Sequence, residues 1–295
     1  MPVSSLLEPA FLRKLETLTL NARKIYAGQV RGERRTHKRG SSVEFADFRE
    51  YSMGDDLRYV DWKAYGRLGK LFVKLFREEE DLSVHILLDN SKSMDFGAPV
   101  TKAQYAVRVA AALGYIGLRE FDRVKVSAFS DVLDHKLPAL RGRSSVVQYF
   151  RYLEQLPMPS GKTSFSNVLR RYAERETSPG IAIVCSDFLD DGIKDGLNAL
   201  LARRYEVVMI QILDPLEVEP VLAGDLRLLD SETDEELWVS ISPFMLKEYR
   251  ARLDDLVSQL TVMAQRHAME YVRLTTQMNF EDAVLGYLRT GGLVR

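Results

Sequence analysis

Leu82-Ser-Val-His-Ile-Leu-Leu88-Asp89-Asn90-Ser91-Lys92-Ser93-Met94 is the stretch on which the fold turns. Leu82 to Leu88 is apolar with little interruption, as in a short strand covered on both faces, and it runs straight into a polar loop. Working outward, similar runs recur at Val124 to Phe129, Ile181 to Val184, Val207 to Leu213 and Tyr271 to Leu274. Between them lie residues with helical spacing. Ala106, Val109, Ala110, Leu113 and Ile116 form one stripe; Phe165, Val168, Leu169, Tyr172 and Ala173 form another; Ile193, Leu197, Leu200 and Leu201 form a third. Ser242-Pro243 predicts a capped helix start ahead of Leu253, Leu256, Val257, Leu260, Met263 and Ala264, and Asn279 predicts a cap for a last helix carrying Phe280, Ala283, Val284, Tyr287 and Leu288 up to Gly291-Gly292. Alternation of strand and helix from about residue 81 to the end predicts an α/β fold with a doubly wound, mostly parallel sheet.

One segment breaks the alternation. Leu226 to Ile241 reads as two short strands around a polar turn, which predicts a β-hairpin inserted near 225–241. Residues 1–80 read as a separate N-terminal region, with an amphipathic start at Phe11, Leu15 and Leu18 and a basic loop at 31–40; residues 81–295 form the main domain. The chain has 295 residues, 46% of them hydrophobic and 28% charged, enough apolar material for a real core and too much for a disordered protein. Its formal net charge of −1 gives no global attraction for nucleic acid or an anionic membrane. Its one cysteine, Cys185, lies within an apolar run and excludes an internal disulfide. The N-terminus has no signal-peptide pattern and no segment approaches the ~18 apolar residues of a membrane span, so a cytoplasmic protein is expected.

The chemistry sits after the first strand of the main domain. Asp89, Ser91 and Ser93 place a carboxylate and two hydroxyls at alternate residues, where open α/β sheets bind ligands beyond the carboxyl ends of their strands. Asp187 follows another buried strand in the same way, and Thr163 lies in a loop that opens a helix. This set is oxygen throughout, without histidine or thiolate, and selects a hard cation: Mg²⁺ first, with Mn²⁺ or Ca²⁺ as substitutes. Neutral hydroxyls leave much of the ion's charge uncompensated, so the ion stays attractive to an incoming carboxylate.

Asp89-x-Ser91-x-Ser93 with Thr163 and Asp187 resembles the metal-ion-dependent adhesion site of von Willebrand factor A domains, with every position filled. That resemblance implies a von Willebrand factor A or Rossmann-like sheet, direct ligation by Asp89, Ser91, Ser93 and Thr163, and ligation by Asp187 directly or through water. Gly40 to Trp62, with Glu44, Phe45, Arg49, Tyr51, Gly54, Asp55, Asp56, Arg58 and Asp61, is similar to the signature of the domain of unknown function 58 family, and Glu78-Glu79-Glu80-Asp81-Leu82 fits as well. Members of that family resemble companions of MoxR-type AAA+ ATPases, implicated in assembly, maturation or metal insertion of other proteins. Many look anchored to membranes by N-terminal helices that this sequence lacks. Physically, Met53-Gly54-Asp55 reads as a turn, Arg58 and Asp61 as ion-pair partners, and Trp62 as a buried anchor.

Rival readings fare less well. A phosphatase of the haloacid dehalogenase type, with Asp89 as nucleophile, needs a second Asp where Ser91 stands. Pro159-Ser-Gly161-Lys162-Thr163 imitates the end of a P-loop without its first glycine or its leading strand. Arg31 to Arg39 is a basic stretch without interleaved aromatics, which reads as a solvated or partner-facing surface. His85 falls inside a strand as a core residue, and His37, His135 and His267 have no metal-ligand spacing. Asp190-Asp191 reads as a helix cap. The sequence therefore predicts a non-enzymatic, metal-dependent protein-binding module that grips a partner's Asp or Glu carboxylate and works with a MoxR-type ATPase. A Mg²⁺-dependent hydrolase using Asp89 and a structural protein with a vestigial site are the alternatives.

Overall fold

The computed structural model describes residues 6–20, 43–78, 82–131, 135–162, 164–229 and 236–287. The chain forms two compact units, one of Met1–Gln29 with Leu82–Arg295 and one of Val30–Asp81. The segment Met1–Gln29 sorts with the main unit rather than with Val30–Asp81. Its helix α1 (Pro9–Leu15) buries Phe11, Leu12 and Leu15, and Phe11 packs edge-on against Phe280 at 5.4 Å. An amphipathic helix needs a surface for its apolar stripe, and here the main core provides it.

In the smaller unit, β1 (Val43–Glu50) pairs antiparallel with β2 (Phe72–Glu78), with an irregularity between Phe45 and Asp47. Helix α2 (Trp62–Leu68) lies between them in sequence. Asp61 caps it by accepting from the Lys63 and Ala64 amides, and Gly69 ends it in a left-handed conformation with φ 66°. The turn expected at Met53-Gly54-Asp55 is present: Gly54 has φ 108°, and Asp55 accepts from the Ser52 amide and the Arg49 guanidinium, both at 2.8 Å. Arg58 pairs with Asp56 at 2.6 Å. Trp62 is not the buried anchor that its size suggested, being 59% exposed. It opens α2 with Tyr65 edge-on at 6.4 Å, and the described core of this unit consists of Val60 and Val73.

The main unit is built on a six-stranded sheet. Its strands are β3 (Ser83–Asp89), β4 (Arg123–Phe129), β5 (His135–Leu140), β6 (Ile181–Ser186), β7 (Glu206–Leu213) and, beyond a hairpin, β10 (Glu270–Thr275). The hairpin is β8 (Gly224–Leu229) paired antiparallel with β9 (Glu236–Ile241), as expected, and its expected turn at 230–235 lies outside the described residues. The sheet order is β10-β7-β6-β3-β4-β5, parallel except for antiparallel β5 at the edge. In sequence order that is the doubly wound arrangement, reversing direction between β3 and β6. β5 had no apolar run to announce it, and it carries Pro138, tolerable because an edge strand has one side unpaired.

Side chains alternate between the two faces. Ile86, Leu88, Ile183 and Cys185 join one core, with α1, α3 (Lys102–Arg119) and α4 (Val146–Glu154); Leu87, Ala182 and Val184 join the other. The second core also takes α5 (Phe165–Arg175), α6 (Ile193–Ala202) and the inner stripe of α8 (Pro243–His267), whose Leu260, Met263 and Ala264 are buried. A four-residue helix, α7 (Pro215–Val218), follows β7. Ser242 caps α8 by accepting from the Met245 amide at 3.2 Å. The last predicted helix starts at Phe280 under an Asn279 cap and turns into a π-helical segment at Ala283–Tyr287; residues 288–295 lie outside the described residues. His85 is the satisfied core residue expected: Nδ1 lies 2.7 Å from the Tyr172 hydroxyl and Nε2 3.0 Å from the Ser178 carbonyl. A carbonyl can only accept, so Nε2 carries the proton and Nδ1 accepts from Tyr172.

Candidate metal centre

Asp89 ends β3, and Asp187 directly follows β6, the strand paired with it across the point where the winding reverses. Parallel pairing with both strands ending together forces the two carboxylates to the same end of the sheet. This is the crevice in which doubly wound folds bind ligands. Beyond Asp89 the chain turns through a short 3₁₀ segment, Lys92–Met94, which brings Ser91 and Ser93 back over the strand ends.

The side chains interlock. Asp89 Oδ1 accepts from the Ser91 amide at 3.0 Å and the Ser91 hydroxyl at 2.7 Å, while Oδ2 accepts from Ser186 Oγ at 2.6 Å. Ser93 Oγ donates to Asp187 Oδ2 at 3.1 Å and lies 3.1 Å from Ser91 Oγ. Asp187 Oδ1 accepts from the Leu189 amide at 3.2 Å. With their protons committed to carboxylates, the two hydroxyls have lone pairs left for a cation. Burial pushes the Asp89 carboxyl up to about 7, and the nearby Asp187 charge adds to the shift.

Asp187 is set in place by a strained neighbour. Phe188 has φ 56°, a left-handed conformation costing a β-substituted residue roughly 1–2 kcal/mol. The cost is met because its ring is fully buried against Phe165 at 5.5 Å and its amide donates to Ser186 Oγ at 3.0 Å. Behind it, Gln211 is buried and donates to the Asp187 carbonyl at 2.8 Å.

Thr163, the fifth predicted ligand, lies outside the described residues. The segment before it is tied to the Asp89–Ser93 loop: the Ser160 amide donates to the Asn90 carbonyl at 2.9 Å and the Lys92 amide to the Gly161 carbonyl at 3.1 Å. Just after it, the Ser164 amide donates to the Ser130 carbonyl at 3.2 Å. The basic stretch 31–39, with His37, and Glu79, Glu80 and Asp81 are likewise outside the described residues. Asp190-Asp191 does not cap α6 as expected: Gly192 stands at the N-cap without a side-chain cap, and Asp190 accepts from the Gly192 amide at 2.5 Å, one residue ahead of the helix.

Three participants were not predicted: Ser186, Lys102 and Glu217. Lys102 is fully buried, with Nζ 2.7 Å from Asp187 Oδ2 and 2.6 Å from Glu217 Oε1 on α7. Burial alone would lower its pKa, but the two carboxylates outweigh that and raise it, so it stays an ammonium. One signal was available in the sequence. Lys102 lies four and seven residues before Ala106 and Val109 and continues their buried stripe.

The residues fit a hard divalent cation. Among the described residues no group of three or more His, Cys, Asp and Glu is arranged to hold a metal, so a centre here has to combine the Asp89 and Asp187 carboxylates with hydroxyls. A divalent ion beside Asp89 would favour its carboxylate over the protonated form that burial promotes, and Lys102 is the cation that already sits between Asp187 and Glu217.

An α/β protein with paired carboxylates and hydroxyls at its winding reversal is the class that fold and site define. The sequence matches the family described as "Protein of unknown function DUF58" over residues 47–278, and the chain belongs to that family. It is 28% identical over 247 residues to uncharacterized proteins of Mycobacterium bovis (Mb1516) and Mycobacterium tuberculosis (Rv1480), covering 82% of this chain and 77% of each relative. Among solved structures it is similar to the conserved hypothetical protein BatB of Bacteroides thetaiotaomicron, at 16% identity and a TM-score of 0.43, over 72% of this chain and 98% of that one. An aerotolerance-related membrane protein of Bacteroides fragilis is similar at 15% identity and the same TM-score, 0.43, with the same coverage of 72% and 98%. Among the described residues of this chain, no helix is long and apolar enough to cross a membrane.

Proposed function

We propose that this chain is a non-enzymatic binding module in which Asp89, Ser91, Ser93, Thr163 and Asp187 hold one Mg²⁺, replaceable by Mn²⁺ or Ca²⁺, and offer it to an Asp or Glu carboxylate of a protein partner. The observation that carries this reading is the convergence of Asp89, Ser91, Ser93 and Asp187, from two paired strand ends, into one hydrogen-bonded oxygen set. A bound ion supplies an electrophilic centre for the partner's oxygen. The protein holds that centre: Ser186 and the Ser91 amide orient Asp89, and Phe188 and Gln211 orient Asp187. Binding rather than turnover is favoured because position 91, where a phosphatase of the rival type needs its general acid, is a serine that donates to Asp89.

The resemblance of residues 40–62 and 78–82 to the signature of companions of MoxR-type AAA+ ATPases carries the proposal of a place beside such an ATPase in the assembly or maturation of other proteins, and the lone, buried Cys185 is compatible with a cytoplasmic setting. The test is thermal unfolding of wild type and Asp89→Ala across a Mg²⁺ series. A ligand at a hundred times its Kd stabilises by about 2.7 kcal/mol, so the wild-type Tm should climb with Mg²⁺ while the Asp89→Ala Tm stays flat. A wild type indifferent to Mg²⁺, Mn²⁺ and Ca²⁺ alike refutes the metal site. Capture of a partner in Mg²⁺, lost both with chelator and in Asp89→Ala, is the corresponding result for the binding role.

A further inference from the structure

Lys102 stands where general principles disfavour a lysine. It is the first residue of the eighteen-residue helix α3, at the positive end of the helix dipole, and its side chain is wholly buried. A neutral residue could continue the stripe formed by Ala106 and Val109, and Thr101 with Gln104 already completes the capping box. What Lys102 adds is a fixed positive charge on the Asp187 oxygen that also accepts from Ser93, with a second carboxylate, Glu217, on the other side of its Nζ.

We propose that Lys102 is a resident cation of the metal centre, which holds Asp187 in the metal-free protein and competes with the divalent ion for Asp187 Oδ2. The inference rests on the metal reading above and adds a mechanism to it. When the ion takes Asp187, the ammonium stays paired through Glu217. Glu217 is in turn fixed in α7, its Oε2 accepting from the Asp214 amide at 2.8 Å and its carbonyl accepting from the Tyr249 hydroxyl of α8 at 2.7 Å. The lysine thereby weakens the ion's hold and keeps the metal-free site from flying apart under its own negative charge. It also makes α7 the element that feels whether the ion is bound.

The test uses Mn²⁺ as probe, its affinity for the full chain measured by calorimetry and by the loss of the free-ion EPR signal. The proteins are wild type, Asp89→Ala, Lys102→Met and the double variant Lys102→Met/Glu217→Gln. Both Lys102 variants should bind Mn²⁺ at least ten-fold more tightly than wild type, with a lower metal-free Tm that Mn²⁺ restores. The double variant removes the buried pair without leaving Glu217 unpartnered and carries the test if Lys102→Met fails to fold. On the wild type itself, the Lys102 side-chain NMR signal should shift as diamagnetic Mg²⁺ saturates the site. Equal or weaker Mn²⁺ binding in folded Lys102 variants, with wild type binding and Asp89→Ala not, overturns the role of Lys102 and leaves the metal site standing. So does an unmoved Lys102 signal at saturation. Absence of binding in every protein overturns both, whereas binding by the Lys102 variants alone supports the competition by Lys102 and overturns the metal reading for the wild type.

Discussion

Lowering the pH should destabilise this protein through one buried imidazole, by an amount the structure sets. His85 is fully enclosed in β3, edge-on to Tyr172 and Tyr205, with both ring nitrogens hydrogen-bonded in the neutral form. Burial above all, and then the Lys125 ammonium, lowers its pKa from 6.5 to about 4; Glu176, itself paired with Lys125 at 2.6 Å, opposes the shift. Above pH 6.5 the imidazole is neutral in both folded and unfolded chains and contributes no pH dependence. Between 6.5 and about 4 the unfolded chain binds the proton and the folded one does not, so stability falls as pH falls, and the loss levels off below the folded pKa. The full shift corresponds to about 3 kcal/mol, most of which is lost by pH 4.5. For a unit of this size that is on the order of 5–10 °C in Tm. The assay is urea unfolding at pH 7.5, 6.5, 5.5 and 4.5 for wild type and His85→Gln, in a metal-free buffer. Other acids titrate in both proteins and cancel in the difference, so wild type should lose about 2–3 kcal/mol more than the variant between pH 7.5 and 4.5. Parallel pH profiles for the two proteins refute the assignment of a buried neutral His85.

Two further outcomes test the packing. Cys185 is wholly buried and burial pushes its thiol up to about 12, so a soluble disulfide reagent should label it only on unfolding; rapid labelling of the native protein would contradict the packing of β6. Phe11→Ala should cost about 3–5 kcal/mol in the unfolding of the main unit, because it removes a ring sealed between α1 and Phe280; a change below 1 kcal/mol would mean that the N-terminal segment does not belong to that core.

Much of the main unit was legible because its signals are local. A strand buried on both faces must be apolar nearly throughout, so β3, β4, β6 and β7 appear as runs, while β10, at the sheet edge, buries only Val272 and Leu274; their alternation with helical stripes leaves few topologies other than a doubly wound sheet. Asp89 and Asp187 were legible as residues that end such runs. Elements without that signature escaped. β5 is a bulged edge strand containing Pro138; α4 is a different case, because Val146, Tyr149, Phe150 and Leu153 stand at helical spacing and its short stripe is legible in the sequence. Trp62 shows the opposite error, since the size of an aromatic says nothing about whether a core exists to receive it.

The sequence by itself determined the order of the five parallel strands, the hairpin and four of the oxygen-bearing residues at the crevice, because periodicity and strand ends are properties of neighbouring residues. Only the tertiary structure decided that α1 completes the main core, that Ser186 orients Asp89, and that a lysine occupies the carboxylate side of the site. Lys102 meets its partners 85 and 115 residues away, and the energy that makes a buried charge tolerable exists only once those distant carboxylates have been brought to it.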